Sequence, residues 1–275
     1  MNETVSVIIP TFRRPDGLRR AAESVLAQAN PCGLKIELVI VDNDPDGSAL
    51  AQGQALAKEA AMDVRVVHMP EPGVANARNA GLAESRGSLI AFLDDDEEAP
   101  KTWLCELVGT LKFYDADAVF GPVRTRLPDS VTEHRDYFDC FFARTGPEES
   151  GHIDDYYGCG NSLIRREALP SATPFDAARN HIGGEDDLLF AQMQARGAVF
   201  AWSAEAWVWE DPLLSRTRLA YTLKRAFAYG QGPSAACASR RPMNLPGVVF
   251  WMGVGAGQAL VYGLAAAFLW AIRAP

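Results

Sequence analysis

The chain has 275 residues, 48% of them hydrophobic and 22% charged, with a formal net charge of −9. That composition is globular and long enough for one large domain or two small ones, and it argues against holding nucleic acid by general basicity, so an anionic partner needs a bound cation or local Arg and Lys. The five cysteines (Cys32, Cys105, Cys140, Cys159 and Cys237) are scattered and contain no C-x-x-C pair, which points away from a disulfide framework or zinc knuckle and towards a reducing, cytoplasmic setting.

The first apolar stretch, near residue 5, is too short for a signal peptide and runs into Arg13 and Arg14. "TVSVIIP" reads instead as a buried strand. After Pro15 the apolar positions Leu18, Ala22, Val25, Leu26 and Ala29 recur at helical spacing, with proline at the start, where its missing N–H costs nothing. "KIELVIVD" is a second strand, 48–61 a second helix, "DVRVVHM" a third strand and 74–84 a third helix. "SLIAFLD" is a fourth strand that ends in a run of five carboxylates, followed by a predicted helix over 101–114. Such alternation of β-branched runs with helical periods predicts βαβ units and a mostly parallel, Rossmann-like α/β sheet. Beyond residue 120 the pattern loosens. "HRDYFDCFFARTGPEESGHIDDYYGCG" is aromatic and loop-rich, "NSLIRREAL" runs from strand to helix, "GGEDDLLFAQMQARG" is a helix and "AVFAWSAEAWVWE" a strand region.

From 245 to 272 there are 28 residues without a formal charge, preceded by Arg240 and Arg241 and followed by Arg273. The stretch is long enough to span a bilayer, although its many Gly and Ala leave an apolar hairpin open. The basic segment before it offers Arg218, Lys224 and Arg225 to anionic headgroups, and reads equally well as a solvated amphipathic helix.

In a parallel sheet, ligands bind outside the carboxyl ends of the strands, where "PTFRR", "VDNDPDG" and "LDDDEEAP" should face one cleft. No G-x-G-x-x-G follows the first strand and no G-K-[ST] occurs, so neither a dinucleotide fingerprint nor a P-loop explains that cleft. Glu97 and Glu98 suit a helix start. Asp94 and Asp96, if the segment is extended, project to one side and repel unless a cation lies between them; their hard oxygens select Mg²⁺ or Mn²⁺, shared with substrate phosphates.

The motifs "SVIIPTFRR", "LVIVDNDPDGS", "GVANARNAGL", "IAFLDDDEEAP", "GCGNSLIRREAL" and "GGEDDLLFAQMQARG" occur in the order of family 2 glycosyltransferases with the GT-A fold, and over residues 4–232 the chain resembles that family. It looks closest to the bacterial exopolysaccharide branch, the succinoglycan-type glucosyltransferases. The resemblance implies a catalytic domain over 1–232 and an apolar membrane-associating segment over 233–275. It implies that Pro10, Thr11 and Arg13 line the nucleotide pocket, that Asp42 and Asn43 meet the base, and that Arg78 approaches ribose or phosphates. Where this chain has Asn43 the family often has Asp, which weakens the preference for uracil. By the same resemblance Asp94 contacts the ribose or a metal-bound water, Asp96 binds Mn²⁺ or Mg²⁺, and Gly160, Asn161 and Glu185 contact donor or acceptor. Asp186 is the implied general base of an inverting displacement. Glu210 is either a third metal ligand or the partner of Arg216 or Arg218. Trp202, Trp207 and Trp209 read as core rather than as a sugar-stacking face. His134, His152 and His181 have no partner at metal spacing.

The expected activity is transfer of a hexose, glucose in the first instance, from a UDP-linked donor to a growing glycan. The expected setting is the cytoplasmic face of the inner membrane, with a polyprenyl-diphosphate-linked acceptor and no nucleic acid. A sugar nucleotidyltransferase is disfavoured, because "PTFRRPDG" is a poor Gly-rich basic loop. A catalytically inactive nucleotide-sugar-binding protein is disfavoured, because both acidic clusters are intact.

Overall fold

The computed structural model describes residues 3–29, 33–180, 183–238 and 242–273, so Cys32, His181, Arg240 and Arg241 lie outside the described residues. Two compact units divide at Pro212 and Leu213, not at the expected boundary near 232.

The first unit opens with β1 (Thr4–Thr11), α1 (Pro15–Leu26), β2 (Lys35–Asp42), α2 (Leu50–Glu59), β3 (Asp63–His68), α3 (Val74–Glu84) and β4 (Leu89–Phe92). β1 pairs in parallel with β2 on one edge and β4 on the other, and β2 with β3. Along β1, Val5, Val7 and Ile9 pack with Leu18, Val25, Trp103 and Leu107, while Ile8 packs with Val39, Val41, Leu82 and Phe190. Both faces of the strand are therefore covered, which explains a near-continuous Val/Ile run where a half-exposed strand would alternate. The chain steps outwards from β1 to β3 and then returns through α3 to β4, so strand order reverses between β1 and β4 and their carboxyl ends border a crevice.

The remaining elements are β5 (Glu97–Glu98), α4 (Trp103–Phe113), β6 (Ala118–Phe120), β7 (Val123–Thr125), α5 (Arg135–Phe142), β8 (Gly151–Ile153), β9 (Ser162–Arg165), α6 (Glu185–Ala195), β10 (Phe200–Trp202) and β11 (Val208–Glu210). The main sheet has the order β3-β2-β1-β4-β9-β6-β10-β8, and a small second sheet runs β5-β11-β7. Strand β9 runs antiparallel to both neighbours.

Three expectations change. The carboxylate run is not an extended strand leading into a helix: β4 ends at Phe92, a turn follows in which Glu97 N–H meets Asp94 O at 3.0 Å, and Glu97 and Glu98 pair with Glu210 and Trp209. Strand pairing with β11 overrides the helix-start preference of the two glutamates, and alternation no longer aligns Asp94 with Asp96. The loop-rich aromatic segment contains α5, whose Phe138 is buried against Leu127 and Val131. The last strand region splits between sheets, leaving Trp202 fully buried but Trp207 and Trp209 half-buried, so only Trp202 is core.

The second unit holds α7 (Leu219–Gly230), α8 (Gly232–Ala238) and α9 (Leu245–Arg273). The apolar tail is one helix rather than a hairpin. Among the described residues Leu245–Phe268 is long and apolar enough to cross a membrane, and none of it is buried.

Candidate functional site

At the β1–β4 reversal, the chain ends are clasped by side chains. Thr11 donates to Asp95 at 2.8 Å, the Phe12 N–H reaches the same oxygen at 3.4 Å, and Arg14 holds Asp95 at 3.1 Å and Asp96 closely. Asp95 is thus a buried tie between strand ends; burial pushes its carboxyl up to about 6 against the pull of Arg14. Neither Arg14 nor the tie through Asp95 was singled out by sequence reading, since both depend on contacts more than eighty residues apart.

The expected base contacts are otherwise engaged. Asp42 is fully buried and accepts from the N–H groups of Asp44 at 3.0 Å and Ala49 at 2.6 Å. Asn43 donates to the carbonyls of Met69 and Glu71, both at 2.8 Å, and accepts from Gly73 N–H at 2.7 Å. These hydrogen bonds shape the loop ends after β2. Pro10 is half-buried at the end of β1. Arg13 remains accessible, with its side chain 57% exposed, and pairs with Asp44 at 3.1 Å and Asp46 at 3.4 Å.

Arg78, on α3, joins the two acidic clusters. It is 4% exposed. Its guanidinium donates to Glu185 Oε1 at 2.5 Å and to Asp94 Oδ1 at 3.5 Å, and its Cζ lies 5.6 Å from the centre of the Phe175 ring. Burial opposes its charge, yet the surrounding carboxylates hold its pKa above the ordinary value. Glu185 is raised by burial, with Arg78 opposing. The pair joins α3 to the first turn of α6, while Arg78 also reaches Asp94.

Asp94 sits in a crowd of like charge. Burial raises its carboxyl first, Arg78 opposes, and Asp96 raises it further. Glu97 accepts the Asp94 N–H at 2.9 Å and is itself pushed well up by burial and by Asp94. A hard divalent cation relieves such crowding, so the donor set fits Mg²⁺ or Mn²⁺. Among the described residues no three His, Cys, Asp or Glu side chains come together as a ligand set. The β5–β11 ladder sets Glu210 opposite Glu97, but the expected trio of Asp94, Asp96 and Glu210 is not assembled, and ligand oxygens would have to complete the shell.

Asp186 lies in the first turn of α6, half-buried, after Gly183 (φ 76°) and Gly184 (φ 75°). Its Oδ2 accepts the Cys159 N–H at 3.2 Å. A Cβ on Gly158 would lie 3.2 Å from that same oxygen, and one on Gly160 would lie 2.6 Å from Asp94 Oδ2 and 3.0 Å from Glu97 Oε1. Gly158 therefore lies close to the Asp186 carboxylate and Gly160 close to those of Asp94 and Glu97, so a side chain at 160 would displace them. Arg144, not foreseen from sequence, holds this loop by donating to Gly160 O at 2.5 Å and Gly158 O at 3.3 Å. Asn161 is fully buried: it donates to Pro122 O and Ala206 O at 2.8 Å each and accepts from Trp103 Nε1 at 2.7 Å. These bonds brace the loop against α4 and the start of the second sheet.

Residues 6–171 match the family model described as glycosyl transferase family 2. The succinoglycan biosynthesis protein ExoM of Rhizobium meliloti (strain 1021) is 35% identical over 233 residues, which are 84% of this chain and 74% of that protein. Glycosyltransferase AglE of Haloferax volcanii is 28% identical over 66% of this chain and 58% of its own length. Among solved structures, S. aureus TarS 1–349 in complex with UDP superposes with a TM-score of 0.58 at 16% identity, over 77% of this chain and 61% of that one. GalNAc-T7 with UDP, GalNAc and Mn²⁺ gives 0.59 at 17% identity, over 78% and 44%. The fold is GT-A.

Proposed function

The chain belongs to glycosyl transferase family 2 and is a transferase, and on that premise we propose that it moves a hexose, glucose first among them, from a UDP-linked donor to a hydroxyl of a growing glycan with inversion at the anomeric carbon. The observation that carries this reading is the Arg78 bridge, which draws the Asp94–Asp96 cluster and the start of α6 into one site and leaves Asp186 accessible there. Asp186 takes the proton from the acceptor hydroxyl as its oxygen bonds to the anomeric carbon. The bond from that carbon to the diphosphate breaks, and the nucleoside diphosphate leaves. A single base on the acceptor side is the requirement of direct displacement, whereas retention needs a nucleophile opposite.

Asp94 and Asp96 would hold Mn²⁺ or Mg²⁺, whose charge offsets that developing on the leaving diphosphate. The fold neighbours support donor and metal, TarS being solved with UDP and GalNAc-T7 with UDP and Mn²⁺. The name of ExoM supports exopolysaccharide synthesis. The exposed apolar α9 supports a place at the cytoplasmic face of the inner membrane and a lipid-linked, polyprenyl-diphosphate acceptor. Incubation with a panel of nucleotide-sugars and Mn²⁺ tests the proposal: release of UDP is expected, and no release of a nucleoside diphosphate from any donor overturns it.

A further inference from the structure

We infer that α7 lies flat in the headgroup layer of an anionic bilayer, a reading that rests on the membrane placement proposed above and not on the transferase activity. The distribution of charge points to it first. All 35 Asp and Glu, but only 19 of the 26 Lys and Arg, fall in 1–212, which therefore carries a formal −16, while 213–275 has seven cations and no acidic side chain, a formal +7. An anionic surface repels the first unit and attracts the second. Six of the seven cations precede α9, on the side from which the chain arrives from the first unit. That is the charge pattern of a helix entering lipid from an anionic, cytoplasmic leaflet.

The outward face of α7 is the second observation. Leu219, Leu223 and Phe227 recur at i, i+4 and i+8 and so form one stripe along the helix. All three are exposed, Leu223 by 62% and Phe227 by 72%. Thr222 is fully buried, so the helix packs on another side and turns this stripe outwards. Arg218 and Lys224 are exposed too, and the Arg225 guanidinium donates to Tyr221 Oη at 3.2 Å. A solvated amphipathic helix keeps polar residues outermost. Here the outermost stripe is apolar and edged by cations, the make-up of a helix that lies in a membrane interface with its apolar side about 5–10 Å deep.

The link to α9 decides which surface α7 meets. Gln231 alone separates α7 from α8, and its N–H donates to Ala228 O at 3.3 Å. The Asn244 N–H donates to Cys237 O at 3.1 Å, and Asn244 Oδ1 accepts the Gly247 N–H at 3.1 Å, which ties α8 to the first turn of α9. One short helix thus holds α7 to the end of α9 that enters the bilayer. A second copy of the chain suits the face poorly, because it brings the same +7.

The test reads amide hydrogen exchange of the full chain in nanodiscs of phosphatidylcholine alone or with about one third phosphatidylglycerol. Exchange over 219–230 should slow about fivefold or more in the anionic discs, the effect of roughly one cation at the surface, while peptides of the first unit stay unchanged. Arg218→Gln/Lys224→Gln, which alters two exposed side chains, and Leu223→Ser/Phe227→Ser should each lose most of that difference. Equal exchange of α7 in the two discs overturns the interfacial helix and leaves the α9 anchor standing. Slowing that survives in full in Arg218→Gln/Lys224→Gln owes nothing to headgroup charge and overturns it as well. A chain that stays in neither disc removes the anchor and α7 with it, whereas UDP release measured on the same samples reports on the transferase reading alone.

Discussion

Arg78 and Glu185 meet at 2.5 Å across 107 residues of sequence, with side chains only 5% and 6% exposed. Their contact closes the space between α3 and the first turn of α6, and so sets where Asp186 stands relative to Asp94. Removing one partner of a buried ion pair strands the other charge, at a cost of about 3–5 kcal/mol. Arg78→Met should therefore lower unfolding stability in urea by that order and abolish activity. Glu185→Gln, which keeps a hydrogen-bond acceptor, should cost less. A loss below about 1 kcal/mol for Arg78→Met would show that the bridge does not hold the two clusters together.

Asp186→Asn separates base chemistry from binding. The amide has nearly the same shape and can still accept the Cys159 N–H, which Asp186 Oδ2 accepts at 3.2 Å, but it takes no proton from a hydroxyl. Turnover should fall by about 10²–10⁴, while calorimetric titration with UDP and Mn²⁺ gives unaltered affinity. Equal loss of turnover and UDP affinity would remove Asp186 from the role of base.

The parallel half of the fold was legible because its strands are short β-branched runs and its helices keep their period, as in "KIELVIVD", which matches β2 residue for residue. The place of Asp186 at the start of a helix was legible in "GGEDDLLFAQMQARG", while its role as base comes from the resemblance and is proposed. Arg14 and Arg144 were not, because an arginine in a loop carries no local mark of the carboxylate or carbonyl it will meet after folding. The hydrogen bonds of Asn43 and Asn161 were not legible for a related reason. A side-chain amide carries no local mark of the carbonyls of Met69, Pro122 and Ala206 that it meets after folding. The carboxylate run misled because β11, more than a hundred residues away, turns Glu97 and Glu98 into a strand.

Gly160→Ala probes the crowded carboxylates without touching their charge. The added Cβ would lie 2.6 Å from Asp94 Oδ2 and 3.0 Å from Glu97 Oε1, so both side chains must shift. The Mn²⁺ concentration for half-maximal UDP release should rise, with little change in far-ultraviolet circular dichroism. A wild-type Mn²⁺ response would detach Asp94 from the metal.

Along α9, Val261 and Leu264 are both more than half exposed. A charge at the centre of a spanning helix costs about 2.5–3.5 kcal/mol on insertion. Val261→Arg/Leu264→Arg should shift the chain out of carbonate-washed membranes, and equal retention of both proteins in the pellet would rule out anchoring through this helix.

Acid stability reports on a site far from the chemistry. Glu37, buried on β2, accepts from Ser6 Oγ at 2.5 Å, from the Arg86 N–H at 2.6 Å and from the Arg65 guanidinium. Burial raises its carboxyl, but the hydrogen bonds from Ser6 and Arg86 and the charge of Arg65 prevail, so its pKa ends below the ordinary 4.5. A carboxyl with a lowered pKa in the folded state binds its proton more readily when unfolded, so its contribution is complete above 4.5 and is lost as pH falls through the folded value. Glu37→Gln has no proton to exchange at this position. It should be less stable than the unaltered protein at neutral pH, and the gap between their urea midpoints should narrow as pH drops below about 4.5. A gap of constant size from neutral to acid pH would mean that Glu37 is not held ionised by Ser6, Arg86 and Arg65.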